Sequence, residues 1–244
     1  MTVTEPGPLP GGPPAGDALA GAVDGEALRT RVAELLERAR TRTRGLTDAV
    51  DEADLVTQHS PLMSPLVWDL AHVGSQEELW LVRDVGGREP LRPEIDGLYD
   101  AFQHSRAKRV ELPLLTPAEA RAYAAEVRAK ALDALEASPL RGRRLVEQGF
   151  AFGMIVQHEQ QHDETMLATH QLRSGAPVLH APPPPGPASS CDRAAPAATE
   201  VFVPAGPFTM GTDTEAWALD NERPAHAVHL PAFWIDTVPV TNAA

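Results

Sequence analysis

The stretch of this 244-residue chain whose residue types and spacing most directly suggest chemistry is His158-Glu159-Gln160-Gln161-His162. On a helix, residues four apart share a face, so both imidazoles can approach one metal ion. Imidazole suits iron, zinc, copper and nickel, and a helical pair needs one or two further ligands to fix the geometry. His72 is the leading candidate for the third. It sits in Val67-Trp68-Asp69-Leu70-Ala71-His72-Val73, an apolar setting where an unpartnered imidazole is costly to bury. A core histidine bonded to Asp69, Glu164 or a backbone carbonyl is the competing reading. HEQQH also matches the H-E-x-x-H pattern of zinc hydrolases, in which the glutamate is the general base. Against that stands the lack of a further His or Glu helix to complete such a site. A third reading leaves the pair on a solvated helix face. His59, His104, His170, His180, His226 and His229 read as surface or structural residues.

These side chains need helices to hold them. From Glu26 to about Arg44, Leu28, Val32, Leu35, Leu36 and Ala39 recur at helical spacing, with Arg29, Glu34, Glu37 and Arg38 outward. Ser64-Pro65 opens a second helix that ends before Gly86-Gly87 and carries Val67, Leu70, Leu79 and Trp80 beside His72. Thr116-Pro117-Ala118-Glu119 has capping-box spacing and opens a third, with Tyr123, Val127, Ala131, Leu132 and Leu135 as its buried stripe. A fourth, from about Leu140 to Arg173, holds both histidines of the pair and stops at Gly175. The fold class expected is mainly α, an antiparallel four-helix bundle over residues 25–175. The 86–115 connection is too long for a bundle turn and points to a functional loop.

Glycine and proline, 18 and 24 in number, concentrate at the two flanks of this bundle. Residues 1–24 are expected to be a disordered tail, and 176–199 a stiff Pro/Ala-rich linker. Beyond the linker, 200–211 and 225–240 alternate apolar and polar residues around Gly and Pro, which is β and turn chemistry. About two strands' worth of pattern cannot close a core, so 200–244 reads as the first strands of an incomplete α+β domain.

A formal charge of −13 removes the electrostatic attraction that nucleic acid or anionic membrane binding needs. No segment has a spanning helix's apolar run or a secretory signal's layout, so a cytoplasmic, monomeric protein is expected. A single cysteine, Cys191, forbids an internal disulfide framework.

Trp68-Asp69-Leu70-Ala71-His72, followed by His158-Glu159-Gln160-Gln161-His162 and Glu164, resembles the DinB-like bundle of the iron-dependent sulfoxide synthases of ergothioneine biosynthesis, the hercynine oxygenases. Val203-Pro204-Ala205-Gly206-Pro207-Phe208-Thr209-Met210-Gly211, Asn221-Glu222-Arg223-Pro224-Ala225-His226 and Phe233-Trp234-Ile235-Asp236 resemble the opening of that family's second domain, of the formylglycine-generating-enzyme or sulfatase-modifying-factor type. The resemblance implies Fe(II) on His72, His158 and His162. It implies that Arg106 and Arg109 hold the carboxylates of a thiol substrate and that Gln161 lies near the imidazole of the other. The implied reaction joins hercynine to γ-glutamylcysteine or cysteine through a carbon–sulfur bond and oxidises the sulfur, using O2. It further implies that the proton-donating tyrosine lies beyond residue 244, so no catalytic residue is named here. A DinB-like metal-binding thiol transferase or binding module is the alternative, which would not need the β segment.

Overall fold

A computed structural model describes residues 25–180 and 199–240. The expected tail at 1–24, most of the expected linker and Cys191 lie outside the described residues. Among the described residues there are five α-helices: α1 (Gly25–Thr47), α2 (Glu52–Val56), α3 (Leu66–Glu77), α4 (Pro117–Ala137) and α5 (Phe150–Leu172). Four strands follow: β1 (Glu200–Val203), β2 (Gly206–Met210), β3 (His226–Leu230) and β4 (Phe233–Asp236).

Apart from the one-turn α2, the helices pack as the expected bundle, with α1 against α5 and α3 against α4. Val32, Leu36, Val67, Leu70, Val127, Ala131, Phe152 and Ile155 form a continuous interior. The Thr116 capping box is made: Thr116 Oγ1 accepts from the Glu119 amide, and the Glu119 carboxylate accepts from the Thr116 amide. α3 does not end at Glu77. It continues as a π-helical segment, Glu78–Val85, up to Gly86, where Val82 O already stands 2.6 Å from the place a Cβ would take.

The fourth helix begins ten residues later than its sequence pattern suggests. Residues 138–149 are turns, and Leu140 (φ 53), Gln148 (φ 49) and Gly149 (φ 73) adopt left-handed backbone there. The long 86–115 connection is not extended. It folds over α3 through short 3-10 turns at Pro93–Ile95 and Arg106–Glu111 and buries Tyr99.

Four strands replace the two expected. β1 pairs antiparallel with β4, from Glu200 opposite Asp236 to Val203 opposite Phe233. β2 pairs antiparallel with β3, from Gly206 opposite Leu230 to Met210 opposite His226. The two ribbons do not join into one sheet.

At the centre of the bundle each long helix contributes one charge. Arg40 (α1) donates to Glu159 (α5) at 2.6 Å and to Glu77 (α3) at 2.7 Å. Arg128 (α4) donates to Glu77 and, at 2.9 Å, to Glu159. The remaining guanidinium donors reach the Ala124 and Leu36 carbonyls, and Thr43 bonds Glu159. Burial pushes Glu159 up, but the two guanidiniums outweigh it and hold the carboxyl below its usual range. Asp163, one turn on and without such partners, is pushed up to about 6 by burial.

Removing one member of a buried, fully bonded ion network leaves an unpaired charge in low dielectric, which costs about 3–5 kcal/mol. Arg128→Met and Glu77→Gln should each lower the bundle's stability by about that amount in urea denaturation followed by circular dichroism. Breaking the exposed Lys108–Glu111 pair should leave the midpoint unchanged.

Candidate metal centre

α5 presents two adjacent stripes, because residues one apart on a helix point about 100° apart. Glu159 and Asp163 take the inner stripe toward Thr43. His158 and His162 are therefore turned toward α3, where they meet His72. The ring centroids of the three imidazoles lie 4.5, 4.7 and 5.1 Å apart, and one nitrogen from each falls within 4.8 Å of the others.

Second partners fix two of these rings. His72 Nδ1 donates to the Tyr99 carbonyl at 2.7 Å, and His162 Nδ1 donates to Asp69 Oδ1 at 2.9 Å. Each bond leaves Nε2 of its ring with a lone pair for an ion, the arrangement by which metal-site histidines are oriented. Trp68 stacks on His72 at 4.5 Å with planes 14° apart, and the Arg109 guanidinium lies 3.6 Å from the centre of the Trp68 ring.

The electrostatics favour neutral ligands. Burial, then the neighbouring His162 and His158, lowers His72 to about 3. Burial, then His162, lowers His158 to about 4. Both are unprotonated at neutral pH, and neutral imidazole is the form that coordinates. Three converging imidazole nitrogens, two of them on rings held by second partners, match a divalent transition ion that prefers nitrogen, and leave coordination positions open for other ligands. The chemistry available to such a site is Lewis-acid or redox activation of a bound small molecule.

His72, His158 and His162 are brought together. The arginines are placed differently from each other. Arg106 is exposed and reaches the Leu62 carbonyl at 3.2 Å. Arg109 is 5% exposed, and its donors go to Ser64 Oγ and to the His104 and Ala101 carbonyls. Gln161 is exposed beside His162 and keeps its side chain free of protein partners among the described residues.

Glu159, the general base that a zinc-hydrolase reading requires, is 1% exposed and bound by Arg40 and Arg128. It faces the ion network and not the imidazoles, which removes it from that role. Of the partners expected for a buried His72, namely Asp69, Glu164 or a backbone carbonyl, the carbonyl is the one found, that of Tyr99, while Asp69 holds His162. The sequence singles out neither Tyr99 as its source nor the Trp68 stack. The i,i+4 spacing of Trp68 and His72 was the available signal for the stack, whereas a backbone carbonyl carries none.

Comparison with known proteins agrees with this architecture. Residues 35–166 match the DinB superfamily model, and residues 187–244 match the sulfatase-modifying factor enzyme 1-like domain. A hercynine oxygenase of Mycolicibacterium smegmatis is 54% identical over 221 residues, which is 88% of this chain and 49% of that protein. A hercynine oxygenase of Mycobacterium tuberculosis is 56% identical over 211 residues, 85% of this chain and 47% of that protein. The bovine formylglycine-generating enzyme is 45% identical over 51 residues, 21% of this chain and 14% of that protein. The chain spans about half the length of the hercynine oxygenases it matches. With a family match covering the bundle that holds the three imidazoles, the chain belongs to the DinB superfamily and has hercynine oxygenases among its relatives.

Proposed function

We infer that His72, His158 and His162 bind Fe(II) and that the chain supplies the metal-bearing part of a cytoplasmic hercynine oxygenase in ergothioneine biosynthesis. The observation that carries this reading is the convergence of three imidazoles on one point, with His72 and His162 held by second partners. The relatives' name, hercynine oxygenase, supports the substrate class.

In this reading the substrates are hercynine, O2 and γ-glutamylcysteine or cysteine. A C–H and an S–H bond are lost, a C–S bond and an S=O bond form, and the second oxygen atom leaves as water. Fe(II), when bound, supplies the redox chemistry that activates O2. The protein's own groups bind and orient. Tyr99 O and Asp69 hold the rings of His72 and His162 in the required tautomer. Gln161, beside His162 and free to bond, orients the substrate imidazole. Arg106 is the exposed guanidinium suited to a substrate carboxylate. Arg109 lies on the Trp68 ring that stacks on His72 and uses three of its five N–H donors within the chain, so it braces His72 and keeps two donors for a substrate carboxylate. The reading of the bundle as a DinB-like thiol transferase or binding module keeps the same metal site and differs in dispensing with the β segment.

His72→Ala, His158→Ala and His162→Ala should each abolish stoichiometric Fe(II) uptake under anaerobic reconstitution, with far-ultraviolet circular dichroism unchanged. Asp69→Asn should weaken uptake by about 10- to 100-fold. Full uptake by His72→Ala would transfer the third position to Glu164. In a chain extended to the full length of its relatives, Arg106→Ala should raise KM for the thiol, and not for hercynine, by the equivalent of about 1–3 kcal/mol. Equal effects on both substrates would remove Arg106 from the thiol site.

The histidines also set a pH dependence. Folded values of about 3 for His72 and about 4 for His158 lie below the value of about 6.5 in an unfolded chain. At these two groups the unfolded state therefore binds more protons below that pH, and the metal-free protein should lose stability as pH falls from about 6.5 toward 4, a loss that Asp163, raised to about 6, offsets only in part. Urea denaturation across this range measures the slope, which should flatten in His72→Phe.

A further inference from the structure

The β-rich unit has little interior of its own. Its ribbons leave Phe202, Phe208, Trp234 and Ile235 exposed, and Ala218 is the one buried residue among the described residues 199–240. Beside Ala218, in the loop between β2 and β3, Trp217 reaches across to the bundle. Its Nε1 donates to the Gln148 carbonyl at 2.8 Å. Its ring lies on Gly153 of α5, where a Cβ would stand 2.4, 2.7 and 2.8 Å from three indole carbons. Carbon atoms do not approach that closely, so any larger residue at 153 must expel the ring or displace the helix.

The receiving surface is built for this contact. Glycine weakens a helix interior through its backbone freedom, yet α5 carries one at 153, under the indole. Gln148 at φ 49 and Gly149 at φ 73 form a left-handed turn that non-glycine residues seldom adopt. That turn ends in the carbonyl that Trp217 takes. Ala27, Leu28 and Arg31 of α1 complete the wall. The presenting loop is also held: Arg223 donates to the Asp213 and Glu215 carbonyls, and Thr212 Oγ1 accepts from the amides of Thr214 and Glu215.

We propose that Trp217 is the positioning residue that fixes the β-rich unit at one angle to α5, and that Gly149 and Gly153 form its receptor. The anchored turn of α5 is five residues, or roughly 7.5 Å of helix axis, from His158. The orientation of the β-rich unit is thereby referred to the same rigid rod that carries two of the three converging imidazoles. The inference needs no metal and stands apart from the proposed reaction.

Spin labels on Leu167→Cys of α5 and Thr209→Cys of β2, in a Cys191→Ser background, report the angle as a distance distribution in the metal-free protein. The parent should give one narrow distribution, and Gly153→Ala and Trp217→Ala should each broaden it. Gly153→Ala is the decisive variant, because alanine favours the helix and the bundle should fold at least as well, as judged by circular dichroism. In the same variant the Trp217 indole N–H should exchange with solvent about tenfold faster. An unchanged distribution or an unchanged indole exchange rate in folded Gly153→Ala would overturn the proposal, as would an unchanged distribution in Trp217→Ala.

Discussion

Four charges, one from each long helix, meet in the buried centre of the bundle, and the arrangement of the molecule follows from the need to satisfy them. Arg40, Glu77, Arg128 and Glu159 can pair only if α1, α3, α4 and α5 adopt one rotation and one axial register. Apolar packing tolerates small slips of one helix against another, whereas an unpaired buried charge does not. Holding Glu159 inward determines the facing of His158 and His162. Holding Glu77 inward does the same for His72, five residues earlier on α3. The imidazole cluster is in this sense a product of the ion network beside it.

The same residues explain what could be read from the sequence. The His158/His162 spacing, the Thr116 capping box and the stop at Gly86 are local signals, and each is realised; the core stripe of α4 holds at Tyr123, Val127, Ala131 and Leu135 but not at Leu132, which is exposed. Arg40, Glu77 and Arg128 were not legible as interior residues. A charge buried with a partner from a distant helix has the same letter as one in solvent, and periodicity analysis assigns both to the outer face. Arg109 shows the limit from the other side. Its family likeness concerns carboxylate capture, and nothing in the letter shows that the guanidinium also bonds Ser64 and two carbonyls and lies on the face of Trp68. The ribbons show another limit, because pairing β1 with β4 around β2 and β3 is a long-range choice that alternation alone does not specify.

The pattern His-Glu-x-x-His acquires its meaning from rotation alone. With the glutamate aimed at the ion it describes a hydrolytic base, and with the glutamate aimed at two arginines it describes a structural strut next to a metal-type cluster. Here the strut is observed. Asp69 and Tyr99, supplied by α3 and by the loop that covers it, take up the orienting work on the other side of the rings.

The π-helical segment Glu78–Val85 lets a single helix serve two sets of neighbours. A π turn takes in about one residue more than an α turn, so the stretch after Glu78 is out of phase with the stretch before it. Asp69, His72 and Glu77 can therefore serve the imidazoles and the buried charges, while Leu81 and Val82 still point into the interior. Within a single regular helix those two demands would compete for the same face. The extra residue taken in by the π turns frees each half of this one rod from the angular demand of the other.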